Sequence, residues 1–274
     1  MSLALMMVLI GGCGPRYVIV PQAPLLSASL QDLLGRLDRR TRSIETLKAL
    51  LEIRSDRQAA VTARLYFSRQ PEGAPPSLRL TAFDPFGGTL FDLIGSNDRV
   101  LLTIPSQGHV VESGPANGGS LLLPAESGLE ASELRLAVSA LVGPYVEAGE
   151  VPVLEQVGPD YLIHLIRVSG GGGRLAKRLW IERSGLRLTR EEIFEPAGPS
   201  VDPNGSAAAE DKATVVEFLD YRPRSVPAGA EIDWPDRVVM TKPPAGTGEP
   251  ARLELKFVEV RPNAAISPEE YRIP

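Results

Sequence analysis

Apolar and polar residues alternate along much of this chain. The alternation is clearest over residues 47–54 and 61–68, where the intervening residues are mostly polar, and shorter segments of strand-forming composition recur as far as residue 260. Such alternation is typical of strands with one buried and one solvated face, the usual arrangement in antiparallel sheets. Turn-forming residues such as Gly95-Ser96-Asn97-Asp98 separate the segments. The pattern predicts a meander of strands that curls toward a barrel.

Two segments have helical periodicity instead. Ser29 is typical of a helix N-cap, with Asp32 three residues later, and the first helix follows it. Its apolar face holds Leu30, Leu33, Leu34 and Leu37, and we expect its opposite face to hold Arg36, Asp38, Arg39 and Arg40. A second helix is predicted from about residue 132 to residue 142, with Gly143-Pro144 as its stop signal. Both helices are therefore expected to lie against the sheet.

The N-terminal residues have the pattern of a bacterial lipoprotein signal. A short apolar run from Leu3 to Ile10 is followed by two glycines and by Cys13, the only cysteine of the chain. The run is too short to span a bilayer, but its length and the small residues after it fit a secretory signal. Ile10-Gly11-Gly12-Cys13 resembles the lipobox, so we expect residues 1–12 to be removed and Cys13 to carry a lipid. The alternative is a free, buried cysteine.

The rest of the chain is predicted to form one large domain. We expect residues 13–28 to be a lipidated tether, residues 29–262 to be the domain and residues 263–274 to be a C-terminal tail. Residues 197–212 are rich in Pro, Gly and Ala, which indicates an excursion between two strands. The net charge is −5, and no cluster of Lys and Arg with aromatic residues indicates a nucleic-acid partner.

No pattern of residues indicates catalysis. The two histidines, His109 and His164, lie in predicted strands without ligands at metal-binding spacing. Glu191 and Glu192 are adjacent, and on a strand they point to opposite faces. Motifs for nucleophilic catalysis, phosphate binding or dinucleotide binding are missing from the sequence. We therefore expect no enzymatic activity, no cofactor and no metal site.

The order of the predicted elements, together with one turn, resembles the LolA/LolB-like lipoprotein family. Leu78 to Phe83, then Asp84-Pro85-Phe86-Gly87-Gly88, then a returning strand, is similar to the family's strand, Asn-Pro-Leu-Gly turn and strand. The resemblance implies a mainly β (α+β) fold: an incomplete antiparallel β-barrel of roughly 11 strands, with helices covering its concave side. It also implies a cavity for acyl chains, for which the candidate lining residues are Leu51, Leu65, Leu80, Leu134, Val138 and Leu141. A core filled by its own side chains fits the same pattern.

The resemblance also implies partners and a location. The protein would be anchored in the outer membrane and would face the periplasm. It would bind lipid acyl chains or lipoproteins that a periplasmic LolA-like carrier delivers. The residue after Cys13 is Gly14, whereas an Asp at this position would resemble an inner-membrane retention signal. The sequence therefore favours the outer membrane. Pro85, Phe86 and Gly87 would form a membrane-insertion loop, unless Phe86 folds back onto the sheet. The alternative function is a structural or adaptor lipoprotein in an envelope complex.

Overall fold

A computed structural model describes most of the predicted domain. The described residues are 23–56, 58–69, 77–96, 99–113, 131–169, 172–194, 213–226, 231–244 and 248–271. The predicted signal segment, Cys13, the first part of the tether and the predicted excursion at residues 197–212 lie outside them.

The described chain contains thirteen strands and two α-helices. The helices are α1 (Leu30–Arg42) and α2 (Ala131–Val142), and short 3-10 helices span Pro105–Gln107 and Pro268–Tyr271. The first six strands are β1 (Thr46–Ser55), β2 (Gln58–Ser68), β3 (Ser77–Phe83), β4 (Thr89–Ser96), β5 (Arg99–Ile104) and β6 (His109–Ser113). The other seven are β7 (Glu150–Val157), β8 (Asp160–Ser169), β9 (Gly172–Glu182), β10 (Arg187–Phe194), β11 (Ala213–Ser225), β12 (Glu231–Lys242) and β13 (Ala251–Pro262).

All thirteen strands belong to one antiparallel sheet. Its order is β6-β5-β4-β3-β2-β1-β13-β12-β11-β10-β9-β8-β7. The first and last strands are paired at the centre, where Leu47 lies opposite Pro262. The two outer strands, β6 and β7, are consecutive in sequence, and α2 lies on the connection between them. The described sheet is therefore open between β6 and β7.

The prediction of a mainly β fold with an antiparallel sheet that does not close is confirmed, but the expected number of roughly 11 strands is wrong. The two edge strands, β6 and β7, have little burial pattern of their own. Residues 109–112 of β6 are all exposed, and most of β7 is exposed. Each of these strands is held by backbone hydrogen bonds to one neighbour, β5 or β8, rather than by an apolar face.

One core fills the concave side of the sheet. Inward side chains of β1 to β5, such as Leu51, Leu65 and Leu93, are buried together with inward side chains of β8 to β13. Leu33 and Leu37 of α1 and Leu134 and Leu141 of α2 belong to the same cluster. Both helices therefore lie on the concave side, as predicted. No helix in the described part of the chain is long and apolar enough to cross a membrane.

Helix α1 begins where the sequence predicts. The Ser29 hydroxyl accepts a hydrogen bond from the Asp32 backbone N–H at 3.2 Å, and the Asp32 carboxylate accepts one from the Ser29 N–H at 3.0 Å. This capping box satisfies two backbone donors that the first turn leaves unpaired. The hydrogen bonds to Ser29 also lower the pKa of Asp32. The helix ends at Arg42, and Ile44 is buried just beyond it.

The chain on either side of the domain is bonded to it. The backbone of Leu26, in the predicted tether, donates to the Arg183 carbonyl at 2.9 Å. In the predicted tail, Lys48 Nζ donates to Glu270 Oε1 at 2.7 Å, and Arg79 Nη1 donates to the Glu270 carbonyl at 2.8 Å. The described part of the tail thus lies on the convex face of β1 and β3. The boundary at residue 262 stays a prediction.

Candidate functional site

One arginine joins the ends of both helices to the sheet. Arg69 directly follows β2, and its Nη2 atom donates to the Val142 carbonyl at 2.7 Å and to the Thr41 carbonyl at 3.0 Å. Its Nε atom donates to the Ile44 carbonyl at 3.3 Å. Carbonyls at the end of a helix lack partners within the helix and carry partial negative charge, so a cation is favourable there. We call α1 and α2 the helical cover. Arg69 holds the C-terminal ends of its two helices against the sheet.

The two helices also meet directly at this end. Thr41 Oγ1 donates to the Gly143 carbonyl at 3.3 Å, and the Gly143 N–H donates to the Ser139 carbonyl at 2.6 Å. A Cβ atom at residue 143 would collide with the Ser139 carbonyl oxygen. Only glycine therefore permits this close end of α2, which agrees with the predicted stop signal.

A pocket lies between α1 and strands β9 to β12. Its volume is about 380 Å³. The apolar part of its wall includes Leu33 and Leu37 from α1, Ile181 from β9, Leu188 from β10 and Ile232 from β12. The volume is within the range of small-molecule sites, which are mostly apolar with a few polar groups. We refer to it as the α1 pocket.

Arg40 lies on the pocket side of α1, so its expected place on the solvated face is wrong. Position 40 follows Leu33 by seven residues and Leu37 by three, and this spacing puts all three on one face of a helix. The Arg40 Nη1 atom donates to Tyr221 Oη at 3.4 Å. Its Nε and Nη2 atoms are shielded from solvent and have no hydrogen-bond partner among the described residues.

Two tyrosine side chains lie near Arg40. Tyr221 Oη donates to the Leu188 carbonyl at 2.5 Å, and Tyr145 Oη is buried without a partner among the described residues. Burial raises the pKa of Tyr145 to about 12, although the charge of Arg40 opposes that shift. Burial opposes the charge of Arg40 itself, but its interactions with Tyr145, Tyr221 and the Asp233 carboxylate leave the pKa of Arg40 above its ordinary value. Arg40 is therefore a cation at every physiological pH.

Glu191 is a further buried polar side chain, close enough to Tyr145 to affect its pKa. It points inward from β10, while Glu192 points outward and accepts a hydrogen bond from Trp180 Nε1 at 3.2 Å. The prediction that these two carboxylates face opposite sides is confirmed. Burial raises the pKa of Glu191 to about 7, although nearby Lys177 opposes that shift. Glu191 Oε2 has no hydrogen-bond partner among the described residues.

The six side chains predicted to line a cavity do not line the α1 pocket. Leu51, Leu65, Leu80, Leu134, Val138 and Leu141 are all buried in the common core. They lie under β1 to β3 and on α2, whereas the pocket lies under β9 to β12. Sequence reasoning missed the pocket because its residues are far apart in sequence. The spacing from Leu33 through Leu37 to Arg40 was the one signal available.

The β3–β4 turn presents Phe86 to solvent. Asp84 Oδ1 accepts hydrogen bonds from the backbone N–H groups of Phe86 and Gly88, both at 2.8 Å, and Gly87 has a φ of +87°. These bonds fix the turn with the Phe86 side chain 98% exposed. The alternative that Phe86 folds back onto the sheet is therefore wrong. Pro85 and Gly87 are also exposed.

The remaining predictions concern Cys13, the histidines and metal binding. Cys13, the predicted lipid-attachment residue, lies outside the described residues. His164 Nε2 lies 3.0 Å from Glu155 Oε2 on the neighbouring strand. Within the described ranges, no three His, Cys, Asp or Glu side chains are arranged to hold a metal ion.

Comparisons with known proteins give similarity of structure only. No protein-family model and no curated protein matches the sequence. A LolA superfamily protein from Nitrosomonas europaea, NE2245, is similar over 90% of this chain and 99% of its own, with 9% identity and a TM-score of 0.49. An uncharacterised conserved protein from Thermus thermophilus is similar over 90% of this chain and 95% of its own, with 13% identity and a TM-score of 0.32.

The Pseudomonas aeruginosa MucA/MucB complex is also similar to this chain. The match covers 85% of this chain and 100% of the other, with 10% identity and a TM-score of 0.22. At these identities and TM-scores the comparisons assign no activity. The function proposed below therefore rests on the geometry of the chain itself.

Proposed function

We propose that this protein is a non-enzymatic, lipid-anchored protein that binds acyl chains beneath its helical cover. The observation that carries the proposal is the α1 pocket, a space of about 380 Å³ between α1 and the sheet whose wall is partly apolar. Each methylene group transferred from water into such a space gains about 0.8 kcal/mol. Ten methylenes would gain roughly 8 kcal/mol before the cost of association is subtracted.

The finer part of the proposal is a role like that of LolB. The protein would be anchored through Cys13 in the outer membrane, would face the periplasm, and would accept lipoproteins from a LolA-like carrier. The exposed Phe86 supports a membrane-insertion step, since an exposed aromatic side chain at the tip of a fixed turn is suited to enter a lipid interface.

Binding is tested with an uncharged fluorescent probe, N-phenyl-1-naphthylamine, and the full chain carrying Cys13→Ser. We expect saturable binding that dodecanol displaces. Ile232→Trp, which adds volume at the pocket wall, should abolish binding. The matched control, Val258→Trp, places the same side chain at an exposed position of β13 and should leave binding unchanged. Absence of saturable binding to the unmodified pocket would rule out acyl-chain binding there.

The insertion step has its own test. Phe86→Glu should stop transfer of a bound acylated peptide to phospholipid vesicles, while the unfolding free energy stays within about 0.5 kcal/mol of wild type, as expected for an exposed residue. Phe86→Leu should retain transfer. Val110→Glu serves as control, because Val110 is also exposed, at 61%, but lies on the edge strand β6. Equal transfer by the Phe86→Glu and Val110→Glu variants would refute the insertion role.

An adaptor function is the second candidate, and it too has a supporting observation. The part of the concave side under β1 to β6 is filled by buried side chains, and the edge strands expose apolar residues. These are Val110 and Val111 on β6, and Val151 and Val153 on β7. Edge strands present unpaired backbone groups to a partner strand. A partner that co-purifies with the protein and is lost after Val110→Lys, together with no probe binding, would favour this function.

A further inference from the structure

Arg40 is a largely buried cation that has no carboxylate at ion-pair distance among the described residues, although Asp233 lies close enough to favour its charge. Its one hydrogen bond, to Tyr221 Oη, is 3.4 Å long, and its Nε and Nη2 atoms have no partner among the described residues. The nearby carboxylate of Asp233 is paired with Arg187, whose Nε atom lies 3.1 Å from Asp233 Oδ2. A buried charge without a partner is strongly unfavourable. The Tyr221 ring, whose centroid lies 5.7 Å from Arg40 Cζ, compensates this charge only in part, and an anionic group from outside the described residues would complete the compensation.

The chemistry of a guanidinium restricts what that group is. Its planar fork of N–H donors matches the geometry of carboxylate and phosphate oxygens, which it binds through two parallel hydrogen bonds. The two unpartnered nitrogen atoms of Arg40, Nε and Nη2, are an adjacent donor pair of this kind. Both atoms are shielded from solvent in this structure, so a head group reaches them only when neighbouring side chains shift. Tyr145 Oη, also buried and unpartnered, is a further donor near Arg40.

The charges around the α1 pocket favour the same kind of ligand. Four arginines line it, namely Arg36, Arg39, Arg40 and Arg187, against the two carboxylates Glu231 and Asp233. The formal charge of the lining is therefore +2, in a chain whose net charge is −5. Because most of the other lining residues are apolar, the pocket combines cationic groups with space for a hydrocarbon chain.

We propose that the α1 pocket binds an anionic amphiphile, with an acyl chain along Leu33, Leu37 and Ile181 and a carboxylate or phosphate head on Arg40. This rests on the proposed acyl-chain binding and adds the class of head group. Arg40 is the residue that selects the ligand. Tyr221, which bonds both Arg40 and the Leu188 carbonyl, positions the guanidinium.

The test compares ligands that share one chain length. Dodecanoate, dodecyl phosphate, dodecanol and inorganic phosphate each compete with N-phenyl-1-naphthylamine for the full chain carrying Cys13→Ser. We expect at least one of the two anionic ligands to displace the probe at a concentration about tenfold to a hundredfold lower than dodecanol, the range typical of charge-assisted hydrogen bonds. Inorganic phosphate, which lacks the chain, should require a far higher concentration than dodecyl phosphate.

Substitutions separate the head group from the chain. Arg40→Met should remove the preference for the anionic ligand while the affinity for dodecanol stays within about threefold. Arg40→Lys keeps the charge without the planar fork and should retain part of the preference. The matched control is Arg42→Met, which removes the same charge from the same helix at an exposed site outside the pocket.

A thermal measurement keeps the inference testable if Arg40→Met folds poorly. Dodecyl phosphate should raise the Tm of the unsubstituted pocket by more than dodecanol does at equal concentration. Equal potency of dodecanol and both anions, or equal potency of inorganic phosphate and dodecyl phosphate, would overturn the head-group inference and leave acyl-chain binding standing. Failure of every ligand to compete would instead overturn the proposed function.

Discussion

Removal of the Arg69 hydrogen bonds should loosen the helical cover while the sheet stays folded. Arg69→Met keeps an unbranched apolar stem but removes three hydrogen bonds to the carbonyls of Thr41, Ile44 and Val142, at 3.0, 3.3 and 2.7 Å. A hydrogen bond from a charged donor contributes about 1.5 to 3 kcal/mol when well buried. Burial lowers the pKa of Arg69, but the side chain is only partly shielded, so about 1 kcal/mol per bond is the appropriate scale.

The expected loss is therefore about 3 kcal/mol of unfolding free energy. Urea unfolding followed by the fluorescence of Trp180 and Trp234 measures it directly. Hydrogen exchange should locate the effect, because the amides of α1 and α2 should exchange faster while those of β1 and β2 keep their protection. Binding of the neutral probe should weaken as well, since α1 forms one wall of the pocket.

Two further variants control this experiment. Arg42→Met removes an arginine from the last turn of α1, where its one ion pair, to Asp38, is exposed, so it should cost less than about 1 kcal/mol. Arg69→Lys keeps the charge but reaches fewer carbonyls. Its unfolding free energy should therefore lie between those of Arg69→Met and wild type. A cost of Arg69→Met no larger than that of Arg42→Met, with unchanged exchange in both helices, would refute the claim that Arg69 fixes the cover.

Three other predictions follow from the same structure. Burial raises the pKa of Glu191 to about 7, so the folded protein keeps a proton that the unfolded chain releases near pH 4.5. The unfolding free energy should therefore fall by up to about 3 kcal/mol between pH 4.5 and 8. Glu191→Gln should flatten that part of the urea-derived stability profile, and an unchanged slope would contradict the burial effect. Asn263→Ala should lower the unfolding free energy in urea by about 2 kcal/mol. The Asn263 Nδ2 atom donates to the Ser43 carbonyl at 2.7 Å, and its Oδ1 atom accepts from the Glu45 N–H at 2.8 Å. The Asn263 backbone has a φ of +55°. Asn263→Gly, which relieves the backbone but lacks the bonds, separates these two contributions. Leu51→Ala should cost about 3 to 5 kcal/mol if the interior beneath β1 is filled, and a loss below about 1 kcal/mol would indicate an empty cavity there.

The sequence by itself determined the local structure of this protein. Alternation from Leu47 to Ile53 sets which side chains of β1 face the core, and Ser29 with Asp32 sets the start of α1. Asp84 and Gly87 set the β3–β4 turn in the same way. These features depend on residues within a few positions of each other, whose steric and hydrogen-bonding preferences act before any long-range contact forms.

Tertiary structure alone decided where the pocket lies and which polar groups are buried in it. Arg40 is charged, so composition places it in solvent, yet the pairing of β1 with β13 and the closure of Arg69 onto both helix ends hold that face of α1 against the sheet. Tyr221 and Glu191 reach the same interior from strands far along the chain. Long-range packing, unlike local propensity, can force a polar side chain inward, and only the assembled sheet shows which side chains it has forced.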